Sequence, residues 1–260
     1  MKRSSMISIM MAISLLVGCA KPAIMATPSP TRVPTAMPAC HQPGTASMDR
    51  VFFPDTGENH AIRVYLPPCY REYTEAAFPV LYWTTDYGQT LFDTADKLTG
   101  QGDVPPSIIV VVDISPVKGY GADAQIVNYV VPTIDAHYRT KADPQHRSIT
   151  GISHGAAIAI RAAFRPPNLF GRVAVLSGGI ADGEQEKFTN WIKAMSPGQE
   201  PAVLIDVGDQ DGILRLAHYL TTLLDQLHYP YTFTHAPGNH VEKYWDSHLV
   251  EYLKWLMPAH

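Results

Sequence analysis

The feature that most restricts how this chain can fold is the run Ile108-Ile109-Val110-Val111-Val112, five β-branched residues with no polar break. A strand with one wetted face alternates apolar and polar residues, so an unbroken run reads as a strand covered on both faces. That strand is expected over residues 108–114. Further strand candidates are residues 63–66, 80–84, 147–150, 173–177, 203–207 and 231–234. Between them lie apolar stripes at helical spacing. One is Val127, Val130, Val131, Ile134 and Tyr138, where Pro132 predicts a kink or a late start. A second runs from Ile213 through Leu216, Leu220, Leu223 and Leu224 to Leu227, and a third through Trp245, Leu249, Tyr252 and Leu256. Strands alternating with helices predict an α/β fold: a single domain with a largely parallel central sheet and helices on both faces. No internal repeat is visible.

At 260 residues the chain has room for one large domain or two small ones, and 46% hydrophobic residues suffice for a core of ordinary size. A formal net charge of −4 gives no basic excess, so no nucleic-acid partner is expected. The N-terminus reads differently from the rest. Lys2 and Arg3 precede an uncharged apolar stretch over residues 6–17, which suits a signal-peptide core better than a membrane span. It ends Leu16-Val17-Gly18-Cys19, which resembles a bacterial lipobox. The expectation is a signal peptide over 1–18, a diacylglycerol on Cys19 and an extracytoplasmic, membrane-anchored bacterial lipoprotein; a plain signal peptide with an incidental cysteine is the simpler alternative. Residues 19–39, rich in Pro, Ala and Thr, read as an extended tether, and the folded domain is expected over 40–260. With Cys19 acylated, Cys40 and Cys69 are expected to pair in an oxidising compartment, the alternative being two free buried thiols. No cysteine or histidine spacing suggests a metal site, and no cofactor is expected.

Chemistry concentrates in Gly151-Ile152-Ser153-His154-Gly155, a G-x-S-x-G pattern between a short strand and the helix expected over 156–164. In that context the serine sits in a tight turn that lifts its hydroxyl to the carboxyl end of the strand, with helix amides aimed at a developing oxyanion. A chance match in a loop is the competing reading. A serine nucleophile needs a base oriented by a carboxylate, and in this arrangement both follow it in the chain. Asp211 stands just past the strand at 203–207. His240, led by Pro237-Gly238-Asn239, falls between the last strand and the last helix. The other downstream histidines, His218, His228, His235, His248 and His260, are assigned mostly to helix surfaces or the terminus. Of the neighbouring acids, Asp206 is expected to make a structural hydrogen bond and Asp209 to be solvated.

From about Cys40 to Trp255 the chain resembles the putative-esterase family of α/β-hydrolases, which includes feruloyl and acetyl xylan esterases, enterochelin esterases, S-formylglutathione hydrolases and mycolyltransferases. The resemblance rests on Val64-Tyr65-Leu66-Pro67-Pro68, Phe78-Pro79-Val80-Leu81-Tyr82, Ile134-Asp135-Ala136-His137-Tyr138-Arg139-Thr140 and Asn168-Leu169-Phe170-Gly171. It continues in Ile205-Asp206-Val207-Gly208 leading to Asp211, and in Gly238-Asn239-His240 with Tyr244-Trp245. It implies an α/β-hydrolase fold with Ser153 as nucleophile, Asp211 as acid and His240 as base.

The chain departs from the family after the strand at 80–84. The usual His-Gly or Asp-Gly is replaced by Thr84-Thr85-Asp86-Tyr87-Gly88-Gln89. The oxyanion donors are therefore expected to be the backbone amides of His154 and of Tyr87 or Gly88. The His154 side chain is read as a rim residue without a chemical part. Ser177-Gly178-Gly179 is read as a structural crossing, not a second nucleophile turn. Trp83, Tyr87, Phe92, Trp191 and Tyr244 are candidates to line a cleft or simply to pack. The expected activity is serine esterase hydrolysis of carboxylic esters, small-molecule or polysaccharide, in an open cleft without a large cap. Two rivals stand: acyl transfer to a sugar or other alcohol, and a non-catalytic α/β-hydrolase module that binds a carbohydrate or surface partner.

Overall fold

Alternate residues of the apolar run do face opposite ways. Ile108, Val110 and Val112 belong to one hydrophobic core and Ile109 and Val111 to another, so the strand carries no solvent face and needs no polar residue. The computed structural model describes residues 42–112 and 121–259. The signal segment 1–18, Cys19, the tether 19–39 and Cys40 lie outside them. The strand is β4, Ile108–Val112, and it sits in an eight-stranded sheet.

The sheet runs β1 (Thr45–Phe53), β2 (Glu58–Leu66), β4, β3 (Val80–Trp83), β5 (Arg147–Ile152), β6 (Arg172–Leu176), β7 (Ala202–Gly208) and β8 (Thr232–Ala236). β1 and β2 pair antiparallel, as do β2 and β4; every later pair is parallel. Seven of these eight strands therefore point the same way, with β2 opposed to them, and the loops leaving their carboxyl ends gather at one edge of the sheet. Helices α1 (Gln89–Gln101) and α7 (Glu242–Leu256) cover one face through Leu91, Phe92, Leu249 and Leu253. The other face takes α3 (Val131–His137), α4 (His154–Phe164), α5 (Gln185–Ala194) and α6 (Leu214–Gln226) through Ile134, Ile158, Phe188 and Leu220.

Pro132 has its expected consequence in an unusual form. The short helix α2 (Ala122–Gln125) passes into a π turn over Ile126–Val130 before α3 begins with the proline in its first turn. Val131 donates its N–H to Ile126 O, five residues back. A proline ring crowds the carbonyl four residues before it, and the widened turn puts the ladder out of step where that clash would fall. Cys69 lies just beyond β2, within the described residues; Cys19 and Cys40, the chain's other cysteines, both lie outside them.

Candidate active site

β5 ends in the G-x-S-x-G turn, and the geometry explains both glycines. A Cβ on Gly151 would lie 2.2 Å from Thr84 Oγ1 and 2.5 Å from the Gly155 carbonyl carbon; one on Gly155 would lie 2.2 Å from Thr85 Oγ1. Between them Ser153 holds φ 56° and ψ −116°, a conformation that costs a non-glycine residue on the order of 1–3 kcal/mol and persists only where its surroundings enforce it. Ser153 N donates to Leu176 O at 2.9 Å. Although it stands at the N-cap of α4, its hydroxyl makes no capping bond.

The loop after β3 is tied to this turn by two threonines whose part the sequence did not signal. Thr84 N donates to Thr150 O at 2.9 Å and Thr84 Oγ1 to Gly155 O at 2.8 Å; Thr85 Oγ1 accepts from Ile152 N at 2.8 Å. Further along, Tyr87 O accepts from Arg63 Nη2 at 2.6 Å, and the Tyr87 hydroxyl donates to Asp246. Burial first, and the Asp246 carboxylate second, push that phenol's pKa up.

Asp211 and His240 are brought together from β7 and β8. The Asp211 carboxylate has no exposed surface; it accepts from Ile213 N at 2.9 Å and lies 2.9 and 3.0 Å from His240 Nδ1. An ionised carboxylate only accepts, so Nδ1 carries the proton and Nε2 is left as the basic nitrogen. The two loops are joined directly. Gln210 N donates to Gly238 O, Gly238 N donates to Gln210 Oε1, and a Cβ on Gly208 would lie 2.4 Å from Gly238 O. A Cβ on Gly238 would in turn meet the Tyr244 ring at 2.3 Å.

The neighbouring acids divide as their positions suggest, with one addition. Asp206 is buried and structural, accepting from Thr234 Oγ1 at 2.7 Å and Tyr252 Oη at 2.5 Å. Asp209 is exposed, yet it also pairs with a histidine, His235 Nδ1 at 2.6 Å. His235 lies on β8 and not on a helix.

A cavity of about 430 Å³ opens beside Ser153, with Ala157, Ile158, Ile213 and Leu216 giving it an apolar lining and His154 on its border. Asp123 and Arg161 also border it, and both charges are balanced: Asp123 by Arg165 at 2.6 Å, Arg161 by two 2.7 Å bonds to Glu184. None of the five aromatic candidates borders this cavity. Trp83, Tyr87, Phe92 and Tyr244 are buried in packing, and Trp191 packs on Phe188. Among the described residues no group of three or more His, Cys, Asp or Glu is placed to hold a metal.

The order of the sheet and a serine in a strained turn between β5 and α4 define the α/β-hydrolase class. The chain belongs to the family described as "Putative esterase", which matches residues 54–256. It is 26% identical over 167 residues to an endo-1,4-beta-xylanase/feruloyl esterase of Xylanibacter ruminicola, covering 55% of this chain but 23% of that longer protein. The uncharacterized protein YbbA of Bacillus subtilis is 24% identical over 59% of this chain and 70% of its own. Among solved structures, a feruloyl esterase module from Clostridium thermocellum superposes with a TM-score of 0.70 at 17% identity, covering 85% and 91% of the two chains. An S-formylglutathione hydrolase from Staphylococcus aureus gives 0.65 at 15%, covering 84% and 97%.

Proposed function

We propose that this protein is a serine esterase that hydrolyses carboxylic esters through an acyl-enzyme on Ser153. The observation that carries the reading is the buried Asp211 carboxylate on His240 Nδ1, which leaves Nε2 basic at the edge where Ser153 is held in a strained turn. Ser153 Oγ attacks the ester carbonyl as His240 takes its proton; Asp211 holds the imidazole tautomer and stabilises the imidazolium. The backbone amides of His154 and of the loop at Tyr87 receive the oxyanion. His240 then returns the proton to the departing alcohol, and water, activated by the same base, releases the acid. The cavity beside Ser153 suits an uncharged acyl group of moderate size, because its lining is apolar and its two charged border residues are already paired. Aromatic acyl esters of polysaccharides, the class that the feruloyl esterase relatives suggest, fit that description.

The test is covalent. A fluorophosphonate probe should label the purified protein once, on the peptide bearing Ser153, and Ser153→Ala should abolish both labelling and hydrolysis of methyl ferulate and p-nitrophenyl acetate. Labelling that survives Ser153→Ala would end the proposal.

We also propose the anchored, disulfide-closed form that the N-terminal sequence suggests: Cys19 acylated and Cys40 paired with Cys69. The intact mass of the membrane-extracted protein should correspond to a chain beginning at residue 19, carrying a diacylglycerol and lacking two protons for the bridge. A mature N-terminus elsewhere refutes the anchor; two titratable thiols in denaturant refute the bridge.

A further inference from the structure

Ser177 occupies a backbone conformation in which a side chain is a burden. Its φ is 46° and it is fully buried, a setting that glycine meets with less strain. Glycines follow it directly, and there space demands them. A Cβ on Gly178 would lie 2.4 Å from Ala156 Cβ, and one on Gly179 would lie 2.2 Å from Leu216 O. The turn thus has glycine where neighbours press against the backbone, and serine where the dihedral alone favours glycine.

The hydroxyl has a use that accounts for this. Trp245 Nε1, from the first turn of α7, donates to Ser177 Oγ at 2.8 Å. The indole stands at 89° to the His240 ring with the centroids 5.1 Å apart. Asp211 grips the imidazole at Nδ1 only, and one grip leaves the ring free to tilt about it. A perpendicular aromatic neighbour removes that freedom, provided that it is itself fixed. Ser177 supplies the fixing: its N–H donates to Asp206 O at 2.7 Å, so the anchor is part of the sheet.

We propose that Ser177 is a positioning residue which, through Trp245, sets the plane of the His240 imidazole and hence the direction of its free nitrogen. This rests on the reading of His240 as the base. Small misplacements of a reacting group cost up to about 100-fold in rate, and the effect falls on kcat, because neither side chain borders the cavity beside Ser153.

The test compares Ser177→Ala, Ser177→Gly, Trp245→Phe and the double variant Ser177→Ala/Trp245→Phe, measuring kcat, KM, melting temperature and the rate of fluorophosphonate labelling. Both Ser177 variants lack the hydroxyl, so both should lose roughly 10- to 100-fold in kcat with KM nearly unchanged, and label correspondingly slowly. Ser177→Gly should nevertheless melt above Ser177→Ala, because only glycine relieves the positive φ. Activity then follows the hydroxyl while stability follows the dihedral. The double variant should be no slower than the worse single one, since both act through one contact. A kcat loss that tracks melting temperature across the set overturns the proposal, as does a Ser177→Ala enzyme that labels at the wild-type rate. A wild-type protein whose Ser153 does not label removes the esterase reading and this proposal with it; normal wild-type labelling with an indifferent Ser177→Ala removes this proposal alone.

Discussion

Asp211→Asn should lower kcat by roughly 10³ to 10⁴ while leaving the protein folded, because the amide offers the imidazole the wrong hydrogen-bonding partner and no charge. The comparison with Asp209→Asn gives this force. Asp209 stands two residues away and also pairs with a histidine, but the Asp209 and His235 side chains are 37% and 57% exposed, whereas the Asp211 carboxylate has no exposure. An exposed pair is worth about 0–1 kcal/mol, so Asp209→Asn should stay within roughly fivefold of wild type. Both variants would be assayed on one activated ester, with circular dichroism to confirm folding. An inactive Asp209→Asn beside an active Asp211→Asn would move the acid to Asp209 and leave Ser153 and His240 as they are.

The largest effect on stability should come from Glu184. It makes the two bonds to Arg161, both side chains being under a tenth exposed, and it also accepts from Lys187 Nζ at 2.8 Å and Ala181 N at 3.0 Å. Removing one partner of a buried pair leaves the other charge desolvated, so Glu184→Ala should cost about 3–5 kcal/mol in denaturant unfolding. A cost below about 1 kcal/mol would show that the pair is solvated in solution. The same group sets an acid limit. Burial alone would raise its pKa, but the Arg161, Lys187 and Ala181 hydrogen bonds and the Arg161 charge outweigh it and hold the carboxyl at about 2, against 4.5. A depressed carboxyl contributes stability above its unfolded pKa and loses it as pH falls through the folded one. Wild-type stability should therefore decline between about pH 4.5 and 2, and Glu184→Gln should flatten that part of the profile.

Much of the fold could be read from strands buried on both faces, because an unbroken β-branched run suits little besides a doubly covered strand. Edge elements were harder. β1 buries only Val51 and Phe53 at its end, and it exposes Met48 and Phe52, so its sequence shows neither a run nor an alternation. α5 buries Phe188 alone. α1 has Leu91, Phe92, Ala95 and Leu98 at helical spacing, and its signal was there to be used. At the candidate site, Ser153, Asp211 and His240 stand out in the sequence by local pattern and chain order, and the structure sets Ser153 in a strained turn and Asp211 on His240. Thr84, Thr85 and Ser177 are not, because their partners lie 66 to 71 residues away in contacts that only the folded sheet creates. Asp209 could not be separated from Asp211 by burial until the β7 and β8 loops were seen together.

Those two loops meet glycine against glycine, bonded in both directions through Gln210 and Gly238. Where Gly208 faces Gly238 there is no room even for a Cβ, so the proposed acid and base, Asp211 and His240, are carried on loops whose backbones are held close together. A couple pre-set in this way would leave the binding energy of an ester free to act on the ester itself.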